Sequence, residues 1–107
     1  MLNHVDLVRP NLPEFGLPQR EPSISPSEYE ERIENCRHKM AEKGLQFLIV
    51  YGDREHFSNL EFLTGFDPRF EEAILILSNN DIPTLVVGWE CMGYSELSPV
   101  SLERRLW

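Results

Sequence analysis

Between Ser25 and Tyr51 the chain carries a helix start, an amphipathic period, a glycine stop and a short apolar run in unbroken succession. No other stretch limits the architecture as strongly. Ser25 is placed to accept from a first-turn backbone N–H, Pro26 fits a first helical position where no N–H is needed, and Glu28 stands three residues after the cap. Tyr29, Ile33, Cys36 and Met40 then recur at helical spacing, while Glu30, Glu31, Glu34, Arg37, Lys39 and Glu42 fill the other faces. Gly44 offers a left-handed stop, with Lys39 and Lys43 near the negative end of the helix dipole. Residues 45–51 are nearly all apolar and lie between Gly44 and Gly52, too short for a helix, so they predict a strand covered on both faces. Helix, glycine, then apolar strand is the pattern of an α/β domain.

The remaining chain extends that pattern. Gly52-Asp53 makes a turn, and Asp53 is placed to cap a short helix with Phe57, Leu60 and Leu63 on one side and Thr64-Gly65 at its end. Residues 66–72 read as a loop stiffened by Asp67-Pro68 and both charged and aromatic. Strands are expected over 73–77 and 82–88, joined by Asn79-Asn80-Asp81, residues that tolerate positive φ, as an antiparallel hairpin. Pro83 cannot donate to a ladder and belongs near the start of its strand or on a free edge. Residues 89–98 show no clear period and read as a loop, and residues 101–106 read as the opening of another helix. Three strands and two helices leave a partial sheet with open edges, which implies a fragment of a longer chain or a partner of other strands.

Before the first helix, residues 1–25 carry Pro10, Pro13, Pro18 and Pro22 among polar residues, the composition of an extended arm. Leu12, Phe15 and Leu17 are its candidates for tacking onto a partner surface. The 107 residues bound the chain to one domain at most, with residues 26–107 as its α/β part. A formal net charge of -8 argues against nucleic acid and acidic membrane surfaces, which need clustered Lys and Arg. The first residues carry no basic region followed by an apolar one, and no apolar run approaches the roughly 18 residues of a membrane span, so a cytoplasmic location is the default expectation. Cys36 and Cys91 have no paired spacing and are expected as free thiols, which disfavours a thiol oxidoreductase.

No residue pattern points to chemistry within the chain. His4, His38 and His56 lack zinc-ligand spacing, and only His56, beside Asp53 and Glu55, merits attention as a site residue. The serines stand in no nucleophile-elbow sequence, and the glycines form no phosphate-binding loop. Charge clusters at Arg54-Glu55 and at Arg69, Glu71 and Glu72 read first as solvated loop faces. Phe62, Phe66 and Phe70 are expected to form an exposed aromatic lip, and an apolar cluster rimmed by charge often marks an interface. Trp89 and Met92 read equally well as core or as docking residues. The expected sets of catalytic and metal-binding residues in this chain are empty.

The order of amphipathic helix, Lys43-Gly44-Leu45, apolar strand, short helix, Asn59-x-x-Phe62-Leu63-Thr64-Gly65-Phe66 and hairpin resembles the N-terminal domain of the creatinase, prolidase and aminopeptidase P family. The resemblance covers roughly residues 29–87 and rests on a structural motif. It implies a mixed-sheet domain, ribonuclease H-like in outline, that precedes a pita-bread catalytic domain. That domain would hold two divalent metal ions, manganese, cobalt or zinc, on Asp, Asp, His, Glu and Glu, a set that nothing in this chain matches. No cofactor is therefore expected here. The resemblance further implies a homo-oligomer in which this domain contacts its own catalytic domain and neighbouring subunits. Phe62, Phe66, Asp67, Arg69 and Phe70 would then form a lip at the mouth of a neighbour's active site. The parent substrate would be an Xaa-Pro dipeptide, a longer peptide with proline second, or a non-peptide C–N substrate such as creatine. The competing expectation is a stand-alone interaction module that pairs through an open sheet edge.

Overall fold

The computed structural model describes residues 4–107. The elements in chain order are α1 (Pro26–Glu42), β1 (Phe47–Gly52), α2 (Ser58–Thr64), β2 (Ala73–Ser78), β3 (Thr84–Val87), α3 (Trp89–Met92), a 3-10 turn (Tyr94–Leu97) and β4 (Glu103–Leu106). They build a small α/β domain on a four-stranded mixed sheet of order β1-β2-β3-β4. The first three strands are antiparallel neighbours, and β4 runs parallel to β3.

The predicted α1 start is present: Ser25 Oγ accepts from the Glu28 backbone N–H at 3.3 Å, with Pro26 in the first turn. The Glu28 carboxylate turns along the helix to Arg32 Nε (3.1 Å) rather than back to the cap. Tyr29, Ile33 and Met40 are buried, and Gly44 ends the helix at φ 66°. Arg37, expected on the polar side, is instead mostly covered. Its Nε donates to the Ser78 carbonyl (3.0 Å) and its Nη2 to the Asp81 carbonyl (2.5 Å), so α1 pins the β2–β3 turn. That turn closes through Ser78 Oγ, which accepts from the Asp81 N–H (3.1 Å) and bonds its carboxylate (3.0 Å). It uses no positive φ, which among the described residues occurs only at glycine.

The sheet buries one face. Leu48, Val50 and Gly52 pair across with Leu77, Leu75 and Ala73, and Leu75 and Ala73 with Leu85 and Val87; all point toward α1 and α2. Alternation of side chains sends Phe47, Ile49 and Tyr51 to the other face, where they are 61%, 66% and 50% exposed. The expectation that this strand is covered on both faces is therefore wrong. A continuous apolar run fits a doubly covered strand, but here the helices lie on one side only. Gly52 lets α2 approach closely, because a Cβ there would stand 2.8 Å from Leu60 Cδ2.

Two further expectations change. Residues 89–98 are not a loop but α3 and a 3-10 turn, and residues 103–106 form a fourth strand rather than a helix. The spacing of Leu102 and Leu106 fits a helical turn, yet pairing with β3 decides the outcome: the Glu103 N–H donates to the Pro83 carbonyl (2.9 Å). Pro83 sits just before β3, where it interrupts no bond. Arg104 fixes the end of the chain by donating from Nε to Ser95 Oγ (3.1 Å) and from Nη2 to the Ser95 carbonyl (3.0 Å).

Candidate functional site: a charged cleft beside a buried motif

The motif from Asn59 to Phe66 forms α2 and its stop. Gly65 adopts φ 66°, reversing the chain, and Thr64 Oγ1 donates to the Leu60 carbonyl (2.7 Å) while accepting from the Phe66 N–H (3.1 Å). A buried threonine thus satisfies the backbone group freed by the turn. Ser98 Oγ donates to the Thr64 carbonyl (2.5 Å), which ties the later segment to the same corner.

This geometry divides the expected aromatic lip into three places. Phe66 is only 2% exposed; it lies in the core, 5.9 Å from the Tyr94 ring. It therefore belongs to no exposed lip, because an apolar residue next to a left-handed stop glycine folds back over the last helical turn. Phe62 is half exposed on α2, with the Arg32 guanidinium 4.3 Å from its ring centroid and Arg32 Nη1 donating to its carbonyl (2.9 Å). It borders an apolar groove of about 380 Å3 with Cys36, Met40 and Leu48. Phe70 is 73% exposed and, with Asp67, Arg69 and Arg54, lines an open cleft of about 460 Å3. Three of the five expected lip residues thus meet, and Arg54 joins them from the loop after β1.

Asp67 Oδ2 holds Arg69 Nε at 3.2 Å, and Pro68 is fully buried between them in sequence, anchoring the loop. Next to it, Asp53, Arg54, Glu55, Phe70, Glu71 and Glu72 line a smaller cleft of about 210 Å3. Asp53 does not cap α2. Its Oδ1 accepts from the backbone N–H groups of Glu55 (2.8 Å) and His56 (2.7 Å), forming a separate turn before the helix, whose preceding residue Phe57 makes no side-chain cap. Those two donors hold its carboxyl pKa at about 2, below the usual carboxylate range. His56 Nδ1 lies 3.1 Å from the same carboxylate, on an exposed ring.

Other candidates resolve into structural roles. Glu71 accepts from the backbone N–H groups of Glu90 (3.4 Å) and Cys91 (3.2 Å), so it caps α3 instead of facing solvent with Arg69. Burial pushes the free thiols of Cys36 and Cys91 up. Met92 packs on the core, whereas Trp89 is exposed. Among the described residues no three His, Cys, Asp or Glu side chains come together to hold a metal ion, and no helix is long and apolar enough to cross a membrane.

A family model for the creatinase/prolidase N-terminal domain matches residues 32–91, more than half of the chain. The chain belongs to that family. An Xaa-Pro aminopeptidase from Streptococcus pyogenes superposes with a TM-score of 0.62 at 25% identity, covering 76% of this chain and 57% of that one. The dipeptidase PepE from Mycobacterium ulcerans gives 0.61 at 17% identity, covering 79% of this chain and 24% of that one. The creatinase/prolidase N-terminal domain of an X-Pro dipeptidase from S. pyogenes gives 0.56 at 19% identity, covering 71% and 57%. The last two support the fold alone. This chain thus spans 57% of each of the two S. pyogenes chains and 24% of the M. ulcerans dipeptidase. A comparison with curated protein sequences returns no significant match.

Proposed function

We propose that this chain is the non-catalytic N-terminal part of a metal-dependent hydrolase of the Xaa-Pro peptidase type, and that it serves subunit assembly and shapes substrate access. The single observation that carries this reading is the family match over residues 32–91, which spans α2, its motif and the hairpin. The cleft of Arg54, Asp67, Arg69 and Phe70 is the surface we assign to access. A guanidinium paired with Asp67 beside an exposed ring, on a loop whose proline is buried, presents charge and apolar area together. Placed at the mouth of a neighbour's active site, such a surface would orient a peptide carboxylate or carbonyl and exclude water. The hydrolysis itself would belong to two divalent metal ions on a separate catalytic domain. The substrate class that fits this reading is a peptide with proline second.

The test is kinetic. In the gene product that carries the catalytic domain, Arg69→Ala and Phe70→Ala should raise KM or lower kcat for Xaa-Pro peptides while bound metal stays unchanged. Wild-type kinetics in both variants would overturn the access role, and loss of metal would contradict its placement outside the metal centre. A stand-alone interaction module is the second reading, favoured by β1, which forms an edge of the sheet.

A further inference from the structure

The loop that presents Arg69 and Phe70 gains little from burying them. Phe70 is 73% exposed and Arg69 is exposed as well, so contacts of other residues must place the pair. Before them Pro68 is fully buried and anchors the chain. After them Glu71 turns its carboxylate to α3, where it accepts from the backbone N–H groups of Cys91 (3.2 Å) and Glu90 (3.4 Å). One of these bonds is of ordinary length and one is long, and a carboxylate acceptor strengthens both. The buried Cys91 thiol lies near enough to feel both that carboxylate and the Phe70 backbone.

A glycine marks the same contact from the other side. Gly88 has φ −78° and ψ 176°, an extended conformation open to any residue, so its backbone gives no reason for glycine. A Cβ at that position would overlap both oxygens of the Glu71 carboxylate. Glycine thus admits the carboxylate to the first turn of α3. The segment that follows also reaches the other end of the loop, where Ser98 Oγ donates to the Thr64 carbonyl (2.5 Å). That segment is itself tied down. Ser95 Oγ donates to the Met92 carbonyl (2.6 Å), and Arg104 Nε of β4 donates to Ser95 Oγ (3.1 Å).

We propose that Glu71 is a positioning residue: received by Gly88 and the α3 backbone, it holds the loop that presents Arg69 and Phe70, and residues 88–98 brace the cleft through it. Glu71 follows Phe70 directly in sequence, so tethering its carboxylate restricts the Phe70 backbone from the C-terminal side as Pro68 does from the N-terminal side. Any effect of the brace on substrate rests on the access role stated above. The brace itself does not, because it is a property of the 107-residue chain and is read there without a catalytic domain.

The experiment is backbone amide NMR relaxation on the 107-residue chain, with circular dichroism as the folding control. The variants are Glu71→Ala, Glu71→Gln, Gly88→Ala and the Glu71→Ala/Gly88→Ala pair. Wild-type order parameters at Arg69 and Phe70 should lie near about 0.85, the value of rigid backbone, and fall below about 0.6 in Glu71→Ala. Those of Leu75 and Leu77 in β2 should not change. Glu71→Gln keeps one carbonyl acceptor and should show a smaller loss; if Glu71→Ala does not fold, Glu71→Gln carries the same test. Gly88→Ala should loosen the loop when Glu71 is present and add nothing in the Glu71→Ala background. A loop already flexible in the wild type, unchanged values in the Glu71 variants, or fully additive effects of the two substitutions each overturn the proposal. In the complete gene product, Glu71→Ala should raise KM for a peptide with proline second about tenfold with kcat within about twofold, and Glu71→Gln should raise it less. A loosened loop with wild-type kinetics upholds the brace and overturns the access role instead.

Discussion

Replacing Phe66 with Ala separates two roles that the motif allows, a surface lip and a core anchor. The side chain is 2% exposed and its ring meets Tyr94 at 5.9 Å with a 53° tilt. Burial of a phenylalanine contributes about 2–3 kcal/mol, and an aromatic pair of this geometry adds about 0.5–1.5 kcal/mol. A residual cavity brings the cost to about 3–5 kcal/mol, the range of large-to-small core substitutions. A 107-residue domain has roughly 5–15 kcal/mol in total, so about a fifth or more of its stability is at stake. Urea unfolding followed by far-UV circular dichroism reads this directly. With a slope near 2 kcal/mol/M, the midpoint should fall by about 1.5–2.5 M. Phe70→Ala, at 73% exposure, should stay within about 0.5 kcal/mol of wild type. Equal small effects in the two variants, or a larger effect at Phe70, would refute the assignment of Phe66 to the core.

Two further perturbations test the corner and the turn that frame the cleft. Gly65→Ala should cost about 2 kcal/mol or more, because φ 66° is strained for alanine and the new Cβ would stand 3.0 Å from both Pro99 Cδ and Tyr29 Oη. Gly44→Ala shares the φ but meets nothing within 4 Å, so its thermal midpoint should fall distinctly less; equal shifts would contradict the crowding argument. Asp53 has a folded-state pKa of about 2 against an ordinary 3.8, so its contribution to stability is present above the unfolded value and is lost as pH falls through the folded one. Acid titration between about pH 4 and 2 should therefore show a shallower loss of stability in Asp53→Asn than in wild type, and identical slopes would remove Asp53 from that acid limb.

Local signals gave α1 and the hairpin their places. Ser25, Pro26 and Gly44 act through contacts within a few residues, and the alternation of Ala73, Leu75 and Leu77 needs only a neighbouring strand. The Glu103–Leu106 strand was illegible for the opposite reason. Its Glu-Arg-Arg-Leu sequence has little strand preference, and partnership with β3, some nineteen residues earlier, makes it a strand. Local periodicity carries no record of such pairing. Coverage of β1 was equally hidden, since a run of Phe, Leu, Ile, Val and Tyr looks the same whether one face or two is covered. In the cleft, Asp67, Arg69 and Phe70 are neighbours in sequence and were visible together. Arg54 joins them only through the fold, and Phe66 leaves them because of the stop at Gly65.

The central claim, that this chain is the non-catalytic part of an Xaa-Pro hydrolase, is tested most directly by one comparison of peptide cleavage. The 107-residue chain and the complete gene product are each assayed on a peptide with proline second, with manganese, cobalt or zinc supplied. The account predicts cleavage by the complete product and none by the chain alone with any of the metals. Cleavage by the 107-residue chain itself, or a gene that ends at Trp107, would contradict it.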